Sequence, residues 1–413
     1  MPGARILSRQ NRAVQGQLVA RRRSTDIVQL KFTLVAGPVP IIMSNHTRTD
    51  IAESERHELE HTLERLGHPR FHARQIFQWV YKRGITDFAL MSDLGRDLRA
   101  QLAESCVITT PVVERQERSQ DGTVKFLLRL ADGRHIESVF IPDETPAGPD
   151  GSPRAARITF CVSTQVGCAM KCAFCLTGKM GIDRSLTAGE IAGQVRVLAR
   201  ELGFLETRFN IVLMGMGEPL HNYEETMKAL RVLADEHGFA MSARRMTLST
   251  VGVLPALERL ATEPLMPNLA ISLHATTEDQ RDLLVPINRK YGLKELLDAC
   301  RRFPLKRRER ITFEYVLLRE VNDTPEDARR LVKLLHGIKG KVNLLPLNEA
   351  AGIPFERPSD DRVNSFARIL ADHGIPVSVR KSRGRDIRAA CGQLITESDR
   401  KAPGARLAML MDQ

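Results

Sequence analysis

From Ile158 onward the chain alternates short apolar stretches with longer amphipathic ones, and this alternation constrains the fold more than any other feature. Apolar segments at 158–163, 209–214, 245–249, 268–273, 311–317 and 342–345 have strand length, and the segments between them are long enough for helices. Several carry helix-start signals. Thr187-Ala188-Gly189-Glu190 has the form of a capping box, Asn222 stands as N-cap before another helix, and Thr324-Pro325 puts proline at the first position of a third. Such alternation predicts an α/β fold with a parallel sheet and right-handed crossovers. Six units point to an open, partial (β/α)6 barrel, since a closed barrel needs eight.

The segments before this core read differently. Leu59, Leu63 and Leu66 recur at helical spacing until Gly67 and Pro69 stop the helix; Ile76, Phe77, Val80 and Tyr81 give a second apolar face closed by Gly84. Residues 51–109 are thus expected to form a small helical domain with Trp79 in its core. In 110–153, strands are expected at 124–130 and 136–141, with turns at Asp121-Gly122 and Asp132-Gly133 and a Pro/Gly-rich surface loop from Pro142 to Pro153. Residues 1–50 make a basic extension. Its first 44 residues hold seven Lys or Arg and one acid, Asp26, so disorder is expected. It reads either as a stretch upstream of a true start at Met43 or as an Arg-rich, acid-poor transit segment. The core is expected over 154–395, followed by a tail at 396–413.

The loop after the first core strand holds Cys168, Cys172 and Cys175, a C-x3-C-x2-C spacing. Three thiolates so close together can converge on one soft metal centre. On a cubane of four irons they leave one iron open, and the amine and carboxylate of S-adenosylmethionine suit it. A structural zinc site is the competing reading. It needs a fourth ligand, which Cys161 could supply, but zinc spacings normally come as two separated C-x2-C pairs. A plain redox C-x2-C leaves Cys168 unexplained.

Ligands of parallel sheets lie at the carboxyl ends of the strands. There stand Gly215-Met216-Gly217-Glu218-Pro219, whose glycines let the backbone approach a ligand and whose Glu218 can accept an ammonium, then Ser249, Ser272-Leu273-His274 and Asn348. Each alone is an ordinary turn residue; their common rim joins them to the cysteines.

Composition narrows the class. Among 413 residues the net charge is +11, which favours polyanionic partners such as nucleic acid. Seven cysteines, an odd number, do not suit a secreted disulfide framework, so a reducing cytoplasm is expected. Cys106 and Cys300 read as packing residues. No apolar run approaches the roughly 20 residues of a spanning helix, so a soluble protein is expected.

With these residues assembled, the chain resembles the RlmN/Cfr family of radical SAM RNA adenine methyltransferases over most of residues 55–395. The resemblance rests on Phe160–Cys168, the three-cysteine motif, Met214–Leu220, Ser272–Ala275 and Arg383–Leu394. It implies a radical SAM barrel with an N-terminal RNA-binding accessory domain. It also implies a [4Fe-4S] cluster on Cys168, Cys172 and Cys175, with S-adenosylmethionine at Gly217, Glu218, Ser249, Ser272, Leu273, His274 and Asn348. The implied substrates are an adenosine of 23S rRNA and the adenosine beside the tRNA anticodon, methylated at C2. That carbon is electron-poor, so direct transfer from a sulfonium is uphill. The family's route has Cys391 take a methyl group from one S-adenosylmethionine, while a second is split to a radical that activates the methylated cysteine for addition to C2. Two molecules are therefore used per turnover. Cys161 then attacks sulfur, leaving a Cys161–Cys391 disulfide for a thiol reductant to reopen. Glu137 is implied as proton acceptor, although a single strand carboxylate is more often a solvated charge. A flavodoxin or ferredoxin is the expected electron donor, and the protein is expected to be a cytoplasmic monomer with no membrane partner. Three readings compete: the related C8-methylating branch, a radical enzyme acting on a small molecule, and a basic RNA-binding protein stapled by zinc.

Overall fold

A computed structural model of the chain describes residues 48–142 and 157–396. The basic extension up to residue 47, the surface loop at 143–156 and the tail from 397 lie outside the described residues.

Ten strands join in one sheet, laid side by side in chain order. They are β1 (Val112–Arg118), β2 (Val124–Arg129), β3 (His135–Pro142), β4 (Ile158–Cys161), β5 (Asn210–Leu213), β6 (Met246–Thr250), β7 (Asn268–Ser272), β8 (Ile311–Leu317), β9 (Gly340–Pro346) and β10 (Val377–Val379). Strands β1 to β4 pair antiparallel, and β4 to β10 pair parallel. The first and last strands do not pair with each other, so the barrel is open as expected. Helices cross between the parallel strands, among them Ala188–Glu201, Tyr223–Ala234, Leu293–Arg302, Pro325–Leu334 and Asp360–Asp372.

Two strands of this sheet escaped the sequence reading. In β10 only three residues pair, too few for a period to register. In β1 the sequence Val-Val-Glu-Arg-Gln-Glu-Arg leaves one face exposed at an edge of the sheet, so it reads as polar. Strand β10 also makes the parallel run seven strands rather than six.

The helix signals fare unevenly. Thr187 and Thr324 each cap their helix reciprocally, with Glu190 and Asp327. Asn222 precedes Tyr223–Ala234 but does not cap it. Its amide instead donates to Thr164 O at 2.9 Å and Leu186 O at 2.8 Å, tying the helix start to the loop after β4.

The upstream region contains helices Arg56–Arg65, His72–Phe77 and Arg96–Ser105, with Gly67 at φ 81° ending the first. Leu59, Leu63, Ile76, Phe77 and Trp79 are buried in the same apolar cluster as the core strands. A direct tether fixes this region to the barrel: Glu53 accepts from Gly189 N at 2.8 Å, at the start of helix Ala188–Glu201. A Cβ on Gly189 would stand 2.7 Å from Glu53 Oε1, so glycine is required for that contact.

Candidate active site

The cysteine loop is shaped by its backbone. A two-stranded antiparallel pair, Gln165–Gly167 with Ile182–Ser185, closes its base, and Cys168 N donates to Gly181 O at 2.7 Å. A Cβ on Gly167 would overlap Gly181 O at 2.0 Å, and its φ of 78° suits glycine alone. Lys171 sits at φ 54°, and helix Leu176–Met180 begins directly at Cys175.

Cys168, Cys172 and Cys175 line one cavity of about 1020 Å³, open to solvent, at the carboxyl ends of the parallel strands. Gly217, Glu218, Ser249, Ser272, His274, Asn348 and Cys391 line it as well. Most expected residues therefore converge. Three do not line it. Leu273 buries its side chain in the apolar core, Cys161 lies in the core beside Phe160 and Val162, and Glu137 is fully buried on β3.

Burial governs the thiols. Desolvation pushes Cys168 up to about 12, and it raises Cys172 and Cys175 as well. Free of metal, these groups are neutral thiols, and a bound metal displaces their protons. Among the described residues, no three Cys, His, Asp or Glu side chains lie close enough to hold a single metal ion. All three thiols face the same cavity.

The rim is equally specific. Glu218 is 3% exposed, and desolvation raises its carboxyl to about 7 against hydrogen bonds from Thr250 and the backbone of Val251 and Leu220. Val251 N and Leu220 N each donate to it at 3.0 Å. Burial lowers His274 to about 3, so its ring is neutral; Nδ1 accepts from Val316 N at 3.0 Å, which leaves the proton on Nε2. Among the described residues Asn348 Oδ1 is buried without a hydrogen-bond partner, an acceptor left for a ligand. The glycines of the Gly-Met-Gly-Glu-Pro turn answer to the protein more than to a ligand. A Cβ on Gly217 would meet Thr164 Oγ1 and Gln165 N, each at 2.7 Å, and one on Gly215 would meet Val162 O at 2.7 Å.

Cys391 is exposed to solvent in the cavity yet ringed by protein, and that enclosure raises its thiol against the lowering influence of Arg380. Cys161 lies close enough to feel Cys391. Its own thiol is raised by burial first and by Cys391 second, and it is hydrogen-bonded to the Met214 backbone. All seven cysteines are free, so the expected disulfide is absent here.

The segment bearing Cys391 is held from both sides. Lys125 Nζ donates to Ile387 O at 2.6 Å, Ile395 N donates to Glu137 Oε2 at 2.8 Å, and Lys125 and Glu137 pair at 3.3 Å. The solvated carboxylate considered for Glu137 is thus a buried ion pair instead. Leu176 N also donates to Gly392 O at 2.8 Å, coupling this segment to the cysteine loop.

Sequence reasoning passed over Glu314, Arg380 and Arg281. Glu314 and Arg380 line the cavity beside Cys391. The Arg281 guanidinium is buried and donates to Val251 O at 2.6 Å, Leu273 O at 3.2 Å and Ser272 O at 3.3 Å, fixing the rim of β6 and β7. A carboxylate in the middle of the apolar run Ile311–Leu317 was the one available signal, for Glu314.

Comparison with known proteins agrees with this geometry. Residues 162–335 match the radical SAM superfamily, and residues 49–108 match the ribosomal RNA large subunit methyltransferase N-terminal domain. A dual-specificity RNA methyltransferase RlmN of Geobacter sulfurreducens is 49% identical over 86% of this chain and 95% of its own length. One from Rhodospirillum rubrum is 46% identical over 92% of this chain and 86% of its own. The crystal structure of a radical SAM methyltransferase from Sphaerobacter thermophilus is 47% identical, covers 84% of this chain and 99% of that one, and superposes with a TM-score of 0.77.

Proposed function

The chain belongs to the RlmN family of radical SAM RNA methyltransferases, and from that premise we propose that it methylates C2 of adenosine in 23S rRNA and beside the tRNA anticodon, with Cys391 as methyl carrier. The observation that carries this reading is the single cavity shared by Cys168, Cys172, Cys175 and Cys391.

In this reading the three loop cysteines hold the [4Fe-4S] cluster. Gly217, Glu218, Ser249, Ser272, the Leu273 backbone, His274 and Asn348 hold S-adenosylmethionine. Bound together, cluster and S-adenosylmethionine would supply a carbon radical, and an electron-poor ring carbon accepts a radical where it does not attack a methyl cation equivalent. The protein's own groups do the rest. Glu218 offers a carboxylate to the ammonium, and neutral His274 offers an Nε2 proton without adding positive charge.

Cys391 must ionise to accept a methyl group, because the thiolate is the nucleophile. Arg380 favours that ionisation, while burial and Glu314 oppose it. Cys161 remains a neutral buried thiol until the base is attached to Cys391. Its thiol then gives up its proton and the sulfur attacks that of Cys391; the carbon–sulfur bond breaks with its electron pair left on the methylene carbon, which takes up a proton to become the methyl group of the base. Both sulfurs end as a disulfide, to be reduced by an external thiol. Two S-adenosylmethionine molecules per turnover follow from separate donor and radical roles. Glu137 is retained as the proposed acceptor of the C2 proton, alongside its hold on the Cys391 segment. A small one-electron donor such as flavodoxin or ferredoxin, action as a monomer and a cytoplasmic site complete the proposal. Among the described residues no helix is long and apolar enough to cross a membrane.

The test is mass mapping of methyladenosine in total RNA from cells with and without the gene. Loss of 2-methyladenosine from both RNAs is expected. Loss of 8-methyladenosine instead would move the chain to the C8 branch, and no change in RNA would reject the reading.

A further inference from the structure

The polar lining of the cavity extends beyond the residues assigned to S-adenosylmethionine. Across β7, β8, β9 and β10, Ser272 stands in register with Glu314, Glu314 with Asn343, and Asn343 with Ser378. Registered residues of neighbouring strands share a face of the sheet, so these four form one row. Ser272 belongs to the cofactor end of that row, and nothing so far accounts for the other three.

Glu314 is 5% exposed within an otherwise apolar strand, and burial raises its carboxyl. A carboxylate is costly there unless it is paired or used. Its contacts are unusually one-sided. Asn343 Nδ2 donates to Oε1 at 2.9 Å, and the Asn343 carbonyl accepts from Ser378 Oγ, which fixes the amide's orientation. Oε2 has no hydrogen-bond partner among the described residues. Glu314 lines the cavity with Cys391 and is near enough to raise its thiol, while Arg380 and Lys341 act on Glu314 only through space. The row thus presents one oriented acceptor beside the sulfur that must meet the base.

Adenine restricts what that acceptor can bind. In adenosine the ring nitrogens N1, N3 and N7 are all acceptors, and the base's only N–H donor is the exocyclic amine on C6. C6 is two ring positions from C2, so a base with C2 at Cys391 has its amine on the adjoining edge. We propose that Glu314 reads the substrate base, its Oε2 accepting a hydrogen bond from the exocyclic amine of the adenine delivered to Cys391. This rests on the reading of the chain as an adenosine methyltransferase and adds a specificity-determining residue to it. A six-keto purine would turn a carbonyl oxygen toward the carboxylate and be repelled, and a purine without the amine would leave the carboxylate unpaired. Sites built to bind a hydrogen-bonding group discriminate strongly against analogues that lack it.

The test uses the full-length, cluster-loaded enzyme and one RNA substrate with adenosine, inosine or unsubstituted purine riboside at the target position. Wild-type enzyme is expected to favour adenosine over purine riboside by about 10- to 100-fold in kcat/KM. Equilibrium binding of the same RNAs without S-adenosylmethionine should follow the same order. In Glu314→Gln the carbonyl remains engaged by Asn343, so an NH2 group faces the amine. Discrimination should then fall to within about threefold, with affinity for S-adenosylmethionine unchanged. If that variant does not fold, Glu314→Asp keeps the charge, withdraws the acceptor by one methylene and should lose most of the preference. Equal wild-type rates on adenosine and purine riboside would overturn the proposal, as would full discrimination in either variant. Weakened S-adenosylmethionine binding with discrimination intact would reassign Glu314 to the cofactor and also overturn it. If wild-type enzyme methylates no adenosine at all, the underlying functional reading fails instead.

Discussion

Replacing Glu137 by Gln separates a clamp from a proton acceptor. Its carboxylate is fully buried, pairs with Lys125 at 3.3 Å and accepts from Ile395 N at 2.8 Å. Removing one member of a buried pair typically costs about 3–5 kcal/mol. The variant should cost less than that. Gln keeps an acceptor for Ile395 N, and Lys125, itself 2% exposed, keeps Glu117 at 3.4 Å and Ile387 O at 2.6 Å. A loss of about 2–3 kcal/mol is expected, read from the shift in denaturant midpoint at constant m. The informative measurement is self-methylation of Cys391, followed by mass spectrometry with S-adenosylmethionine but no RNA. A proton acceptor acts only after the base is attached, so loss of that role alone leaves self-methylation intact. A clamp acts earlier, because it holds the chain four residues to either side of Cys391. Self-methylation should therefore slow together with RNA methylation. Wild-type stability combined with normal self-methylation would refute this account of the ion pair.

Three further outcomes are expected. Cys172→Ala should lose iron, sulfide and activity together, and stoichiometric zinc in anaerobically reconstituted wild-type protein would reject the cluster. Because the Cys391 thiol is raised by burial, its reactive thiolate is the minor form at neutral pH; self-methylation should rise about tenfold per pH unit below that raised value, and Arg380→Gln should slow it at fixed pH by removing a cation that favours ionisation. Cys161→Ala should reach the RNA adduct and stall, giving a covalent protein–RNA species on denaturing gels that digests to a nucleotide on Cys391; near-normal product release would return Cys161 to a packing role.

What the sequence made legible was local. The cysteine loop, the Gly-Glu-Pro turn, the serines and His274 all end or follow strands whose periodicity is plain, so their common rim could be read from order alone. Cys391 has no such signal: it is brought beside the three loop cysteines by hydrogen bonds to its segment from Lys125, Leu176 and Asn348, residues far away along the chain, and only the family resemblance singled it out. Glu314 was hidden for another reason. Apolar neighbours on a strand announce burial, and a lone carboxylate among them looks like an exception until Asn343 and Ser378 are seen in register with it. The short β10 hid the last of that row.

The open barrel gives these distant contacts a common cause. Strand β10 is one free edge of the sheet and β1 the other. The chain leaves β10 at Val379 and returns toward the antiparallel end: Gly384 N donates to Asp121 at 2.9 Å, Ser119 Oγ donates to Asp386 at 2.6 Å, and Lys125 holds Ile387. The segment thereby links the two ends of a sheet that never closes, and Cys391 sits where that link passes the cysteine loop. A closed barrel would have no such gap and could receive only what fits down its axis. An open one can admit a base still attached to a long polyanion, and Arg380 on the cavity wall is followed along the same segment by Lys381, Arg383 and Arg385. Cys391, the proposed methyl carrier, is therefore mounted on the bridging segment, beside the loop that carries Cys168, Cys172 and Cys175.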